Sequence, residues 1–325
     1  MFWKGPVFTS EGFVGKGINL ENCSISNDVE GEENGIIIPL FRNCHTHLGD
    51  TLARNEMPHN LSLSELVGPN GWKHKWLENN DQNTSAIAGL KEIINSGTGL
   101  VMDFREGGKA GLDVFDGVEY PGKLILLGRP LNNENLPGTN AGISSLIDVK
   151  NATEIAASAR SNNGLVGIHH SENEREEIQP LLDLRPDFVV HMCHATESDL
   201  REIKANKISI VVCPRSNHYF GNKPPLEKMI ELGIDIGFGT DNGMLCTVNM
   251  MDEIHFIRAE YDSLNLKTIL SIACFGLDDI FNKDGTSTYS NMAQSGWVLL
   301  SRVEEDNYES IFNPNTEILG IRWRN

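Results

Sequence analysis

The chain has 325 residues, with 45 acidic against 27 basic side chains and a formal charge of −18. Such a surface repels polyanions and anionic lipid, which excludes nucleic acid polymers and membranes as main partners. The length accommodates a (β/α)8 barrel, which takes about 250 residues, and no apolar run reaches the roughly 18 residues of a bilayer span.

The N-terminal stretch MFWKGPVFTSEGFVGKG lacks the apolar core of a signal peptide. The six cysteines, Cys23, Cys44, Cys193, Cys213, Cys246 and Cys274, contain no CxxC pair. Scattered thiols in a chain of this size read as reduced and cytoplasmic.

In chain order, residues 12–18 form a short strand candidate and residues 35–40 (GIIIPL) an apolar one. Residues 84–95 (TSAIAGLKEIIN) carry a helical pattern, with Thr84 as cap and a stop before Gly97. Strand candidates follow at 99–104 (GLVMDF), 123–127 (KLILL) and, more weakly, 140–147 (NAGISSLI). An Ala-rich helix at 151–160 precedes strands at 165–168 (LVGI) and 188–190 (FVV). The helix at 196–205 opens with a capping box formed by Thr196 and Asp199. After the strand 208–213 (ISIVVC), a helix at 225–232 has Pro225 in its first turn, and 234–238 (IDIGF) is the last central strand. Residues 296–302 (GWVLLSR) and 317–323 (EILGIRW) are strand-like again.

Continuous apolar runs separated by helices suit strands buried on both faces, as in a parallel sheet. Eight candidates predict an α/β (β/α)8 barrel, with a doubly wound sheet as the alternative. The two ends predict a small β-domain shared by both termini, or else edge strands on the barrel. The expected divisions are 1–40, 41–285 and 286–325.

Histidine placement carries the chemistry. His45 and His47 form HTH after the first apolar run; on a strand, residues i and i+2 face one side. The strand 165–168 runs into His169, His170, Ser171 and Glu172; 188–190 runs into His191, with His194 three residues on; 234–238 leads to Asp241. The C-terminal ends of parallel strands are where a barrel gathers its ligands. Several imidazoles and one carboxylate there hold a borderline divalent cation with an open position for water, whose pKa falls to about 7. A carboxylate outside the ligand set then carries the proton, and Glu172 is placed for that, although the run Glu174, Glu176, Glu177 also suits a solvated helix start. No GxSxG elbow supports a serine nucleophile, and Cys44, Cys193 or Cys213 beside strands reads as core.

The motifs HTH, HHSE, HMCH, CPRSNHYFGNKPPLEKMIELGIDIGFGTDN and VNMMDEI together resemble the amidohydrolase superfamily, in particular its cytosine deaminase and chlorohydrolase (ATZ/TRZ) branch. The resemblance implies a (β/α)8 TIM barrel with a small β-sandwich formed by both termini. It implies His45, His47, His169 and Asp241 as metal ligands, with His170 the rival of His169. Glu172 falls on the proton-shuttling acid, His191 on the histidine that orients water or polarises substrate, and Asp241 also on the base towards water. Asn217 matches a structural or substrate-side residue, and His194 supports His191 from behind. One divalent ion is implied, Zn²⁺ ahead of Fe²⁺, since 140–147 lacks the lysine that bridges two metals in binuclear members. The implied activity is deamination of a small heterocycle with release of ammonia. Hydrolysis of an amide or halide by the same residues is the alternative, and a non-catalytic metal-binding barrel the reading from another class. Among Arg54, Trp72, Trp76, Arg105, Glu106 and Arg129, the strand-end residues Arg105 and Arg129 are the favoured contacts for an anionic group of a small-molecule substrate. A homodimer is the candidate assembly. The stretch NAGISSLID lacks the Pro-His-x-x-Tyr run of purine-type members, which leaves the identity of the heterocycle open.

Overall fold

The computed structural model describes residues 1–68, 70–131, 135–281 and 296–324. Short strands open the chain: β1 (Phe2–Lys4), β2 (Val7–Thr9), β3 (Gly12–Val14), β4 (Gly17–Asn19), β5 (Ile25–Ser26) and β6 (Ile36–Pro39). The central strands are β7 (Phe41–His47), β8 (Thr98–Arg105), β9 (Lys123–Gly128), β10 (Asn140–Ile143), β11 (Val166–His170), β12 (Phe188–His191), β13 (Ser209–Val212), β14 (Ile236–Phe238) and β15 (Asp241–Asn242). Two more, β16 (Gly296–Leu300) and β17 (Ile318–Trp323), end the chain.

Nine strands form one parallel sheet in the order β14-β13-β12-β11-β10-β9-β8-β7-β15. The sheet curls until the chain of its last strand meets its first: Asp241 pairs with Thr46 and Asn242 with His47. Helices on the outside cover it, giving a TIM-like barrel. The eighth candidate, at 140–147, is real but shorter, as β10.

Closure depends on the bend between β14 and β15. A Cβ on Gly239 would stand 2.7 Å from the Cβ of His45 and 2.9 Å from its backbone nitrogen, so only glycine lets the two strands approach. Beside it, Asn43 Nδ2 donates to Thr240 Oγ1 (2.8 Å), and the Thr240 backbone N–H donates to Asn43 Oδ1 (3.1 Å).

Both ends of the chain meet in a five-stranded sheet of order β17-β16-β6-β2-β3, and β1, β4 and β5 form a separate antiparallel sheet. This corrects the expectation for residues 35–40. That apolar run is β6, paired with β16, and it ends at Pro39, which has no N–H for a further ladder bond. The first barrel strand is the polar-looking FRNCHTH, buried throughout. It tolerates burial because its polar groups are partnered: Arg42 Nη1 donates to the carbonyls of Phe275 (2.7 Å) and Gly276 (2.6 Å), and Thr46 Oγ1 to that of Met102 (3.1 Å). The expected helix at 84–95 runs over Gln82–Asn95. Its cap is Asp81 rather than Thr84, because a carboxylate there accepts from the Asn83 and Thr84 backbone N–H groups. The Thr196–Asp199 capping box is present. The domain boundary expected at 285/286 lies outside the described residues. Among the described residues, no helix is long and apolar enough to cross a membrane. All six cysteines are free.

The barrel interior is packed below the strand ends by Phe104 and Phe188, whose ring centroids are 6.0 Å apart. A Cβ on Gly167 would sit 2.3 Å from Phe188 Cζ and 2.8 Å from Phe104 Cζ. Gly167→Val should therefore lower stability by about 2–3 kcal/mol through overpacking, read as a lower urea midpoint with an unchanged slope.

Candidate metal centre and active-site cavity

His45 and His47 project together from β7, His169 from β11, His191 ends β12, and Asp241 begins β15. Four of these five side chains converge tightly. His169 Nε2 is 3.2 Å from His45 Nε2 and 3.4 Å from His47 Nε2. Asp241 Oδ1 is 3.2 Å from His45 Nε2 and 3.5 Å from His47 Nε2. The Phe104 ring lies beneath, its centroid 4.5 Å from that of His45 and 4.9 Å from that of His169.

For His47 and His169, hydrogen bonds at the far side of the ring decide what the Nε2 atoms present. His47 Nδ1 is 2.8 Å from Glu106 Oε1, and His169 Nδ1 is 3.1 Å from the Ile143 carbonyl. Both partners only accept, so both Nδ1 atoms carry the proton and both Nε2 atoms are bare lone pairs. Burial first, and the Lys73 ammonium second, push His47 down to about 3, and burial with His45 holds His169 well below its ordinary range. Burial likewise lowers His45. Neutral lone pairs and a carboxylate oxygen thus face each other with no hydrogen to share between His47 and His169. That arrangement fits a cation. Ligand atoms about 2.0–2.1 Å from a tetrahedral zinc ion stand about 3.3–3.4 Å apart, close to the separations found. Burial alone would raise Asp241, but the hydrogen bond and charge interaction with His45, and the other histidines, hold it well below the usual carboxylate range. Ser216 Oγ donates to its second oxygen at 2.6 Å.

His191 has a different role. One of its ring nitrogens falls within 4.8 Å of ligand atoms of His45 and Asp241. However, Asn217 Nδ2 donates to its Nδ1 at 3.0 Å, which leaves the proton on Nε2, 3.4 Å from Glu172 Oε2. It is a hydrogen-bond donor into the cavity. Burial, opposed by His191 and reinforced by Asp241, pushes Glu172 up to about 7, so this carboxyl exchanges its proton near neutrality. Left-handed backbone at Ser171 (φ 50°), His191 (φ 77°) and Asp241 (φ 61°) turns these strand ends into the site, a strain of about 1–3 kcal/mol each that clusters where function does.

The residues open onto a cavity of about 870 Å³, whose wall includes Lys73, His74, Arg129, Ser144 and Ser145. Arg129 reaches it and pairs with Glu106 at 3.1 Å. Three expectations change. Arg105 is wholly buried against Gly49, donating to the Gly111 carbonyl (3.1 Å) and to Gln82 Oε1 (3.3 Å), so it braces the strand end and does not line the cavity. His194 is exposed and bonded to Asn222 at 3.1 Å, away from His191. Asn217 holds His191 rather than facing the cavity. Arg54 is likewise engaged elsewhere, by Glu92 at 2.7 and 2.9 Å. Of the rivals, His169 joins the cluster, whereas His170 turns to Ser171 Oγ (2.9 Å) and the Glu177 carbonyl. Burial pushes the Cys44 thiol up to about 12 and raises Cys193 and Cys213 as well, which leaves no thiolate nucleophile among them.

Sequence reasoning missed Lys73, Asp50 and Ser216. Lys73 lies in WKHKW, a pattern that reads as a solvated helix face, and its partners are remote in the chain. No local signal could have found it.

The sequence profile of the amidohydrolase family matches residues 139–284. A protein of Archaeoglobus fulgidus, whose name carries a provisional aminohydrolase assignment, is 36% identical over 264 residues, 78% of each chain. A 5-methylthioadenosine/S-adenosylhomocysteine deaminase of Caldanaerobacter subterraneus subsp. tengcongensis is 28% identical over 300 residues, covering 79% of this chain and 68% of that one. The crystal structure of atrazine chlorohydrolase from Arthrobacter aurescens, complexed with zinc, superposes with a TM-score of 0.74 at 13% identity, covering 99% and 92% of the two chains.

His169→Ala should reduce bound divalent metal from near one equivalent to a trace, and His170→Ala should retain it. Elemental analysis of the two purified variants checks this; equal metal in both would remove His169 from the ligand set.

Proposed function

The chain belongs to the amidohydrolase family, and we propose that it is a hydrolytic deaminase of a small aminated heterocycle. It works with one divalent cation, zinc first and iron second, held by His45, His47, His169 and Asp241. The reading is carried by one observation: lone pairs of neutral imidazoles converge in the same cavity as a carboxyl that titrates at about 7.

A cation held there supplies the Lewis acidity that makes water nucleophilic at neutral pH. Every other step belongs to side chains. His191 points its Nε2–H at the reacting centre and stabilises negative charge that builds there. Asp241 receives the proton of the attacking water, but its carboxyl lies well below the usual range and gives that proton up readily. Glu172 is better matched to keep it. It passes the first proton of the water to the ring nitrogen as the C–O bond forms; the second proton, released as the C=O bond forms, goes to the amino group, so that the C–N bond breaks and ammonia leaves. Arg129 holds an acceptor or anionic group of the substrate.

Hydrolysis of an amide or halide by the same residues is the second reading, kept because of the fold likeness to a zinc-complexed chlorohydrolase. Measuring ammonia separates the two. A barrel that only binds metal has no use for a carboxyl tuned like Glu172. We also read the two sheets of the chain ends as a small terminal β-sandwich, with divisions at 1–40, 41–285 and 286–325, and place the protein in the cytoplasm on the strength of its free thiols.

Glu172→Gln should lower kcat for ammonia release by about 10²–10⁴-fold with full metal content. The relative named for 5-methylthioadenosine and S-adenosylhomocysteine directs the first screen to adenosine derivatives, followed by aminopyrimidines and triazines. Turnover by Glu172→Gln at the wild-type rate would exclude it as the proton carrier. Arg129→Ala should raise KM more than it lowers kcat, as expected when binding common to ground and transition states is removed.

A further inference from the structure

A buried ion cluster adjoins the histidines. Lys73, on the helix Trp72–Asn79, is 3% exposed. Its Nζ lies 2.8 Å from Glu106 Oε1 and 3.1 Å from Asp50 Oδ2, and it donates to Asn242 Oδ1 at 2.7 Å. An ammonium has three N–H donors, and three acceptors surround this one. Burial opposes its charge, but Glu106 and Asp50 outweigh burial and raise its pKa. It stays an ammonium, so it is not a nucleophilic amine. Glu106 Oε1, the oxygen that Lys73 holds, is the same atom that accepts from His47 Nδ1 at 2.8 Å.

We propose that Lys73 is a positioning residue: by pinning Glu106 against His47, it sets the affinity of the three-histidine centre for its cation. The proposal rests on the metal reading above. A carboxylate behind a metal-binding imidazole fixes its tautomer and orientation and makes its other nitrogen a stronger donor. Without Lys73, Glu106 keeps Arg129, whose side chain is 20% exposed, on Oε1, and Arg105 at 3.9 Å from its other oxygen, Oε2, so neither replaces a buried cation on the oxygen that His47 uses. Asp50, wholly buried, loses its cation altogether. Glu106 then has no rigid anchor, and the orientation of the His47 lone pair is no longer imposed. The cluster joins the helix Trp72–Asn79, the end of β8 and β15, so the same side chain ties the cavity wall to the metal ligands.

The test is zinc affinity, measured by competition with a chromophoric chelator on the full chain, for wild type, Lys73→Met, Lys73→Arg, Glu106→Gln and Lys73→Met/Glu106→Gln, with urea midpoints as the record of folding. Lys73→Met should weaken zinc binding by about 10–100-fold. The double variant should bind no more weakly than Glu106→Gln, because both changes cut one linkage. A purely structural ion cluster would move the urea midpoint and leave the zinc constant in place, which overturns the proposal. Losses that simply add in the double variant overturn it too. If Lys73→Met does not fold, Lys73→Arg decides. It keeps the charge, but a planar fork cannot meet three acceptors set around one nitrogen, so several-fold weaker zinc binding supports the proposal and unchanged binding overturns it. Wild-type protein that binds no zinc overturns the metal reading and this proposal with it; zinc-binding wild type with unaffected variants overturns this proposal alone.

Discussion

Three imidazole nitrogens and a carboxylate oxygen converge at the mouth of a closed barrel, His169 and Asp241 each 3.2–3.5 Å from His45 and His47, most of them out of reach of bulk water. Such an arrangement is unfavourable without a cation, because lone pairs repel and buried charge is poorly solvated. It is stable only if the surrounding structure dictates which nitrogen of each ring carries a proton. Glu106 and the Ile143 carbonyl do this for His47 and His169, and Asn217 does it in the opposite sense for His191. His47 and His169 are thereby made lone-pair donors and His191 a proton donor by what lies behind each ring.

That division depends in turn on barrel closure. The Ile143 carbonyl reaches His169 because β10 runs beside β11, and Asp241 reaches His45 and His47 because β15 pairs with β7. Gly239 and the Asn43–Thr240 pair of hydrogen bonds bring the last strand close enough. The strained residues Ser171, His191 and Asp241 sit where strands end and side chains must turn inward. Polar residues that would disqualify β7 as a buried strand are the same ones that close the barrel and hold the site, so the weak hydropathy of FRNCHTH and its function have one cause.

The electrostatics of the cavity differ from those of the surface. The chain as a whole carries −18, yet Lys73 and Arg129 sit on the cavity wall and hold Glu106 ionised well below the usual carboxylate range against the effect of burial. Glu172, opposed by burial, Asp241 and Glu176 and helped less by His191 and Lys73, is pushed the other way. At neutral pH one carboxyl in this cavity is therefore held ionised and the other stands near its midpoint, which suits one to anchoring and the other to proton transfer.

Much of this was legible in the residues alone. Period and apolar runs located seven of the nine central strands, β8 to β14, and the alternation with helices, because buried parallel strands need continuous apolar sequence. The spacing in HTH and HHSE placed His45, His47 and Glu172 together, because strand geometry carries neighbouring residues to a common end. What the sequence could not decide depends on partners remote in the chain. It counted GIIIPL among the eight barrel candidates even with a division at residue 40, because hydropathy does not say which sheet a strand joins. It could not choose between His169 and His170, adjacent residues of one type, until β10 offered a carbonyl to only one of them. It took Arg105 for a substrate contact and His194 for a support of His191 because position near a strand end does not reveal whether a side chain turns into the cavity, into the protein or to solvent. It passed over Lys73 because a lysine on an amphipathic helix reads as solvated until Glu106, Asp50 and Asn242 are folded around it. Local pattern determined which residues lie near the barrel mouth, and tertiary structure alone decided their tautomers, charges and partners, since those are set by atoms that only the closed barrel brings within hydrogen-bond distance.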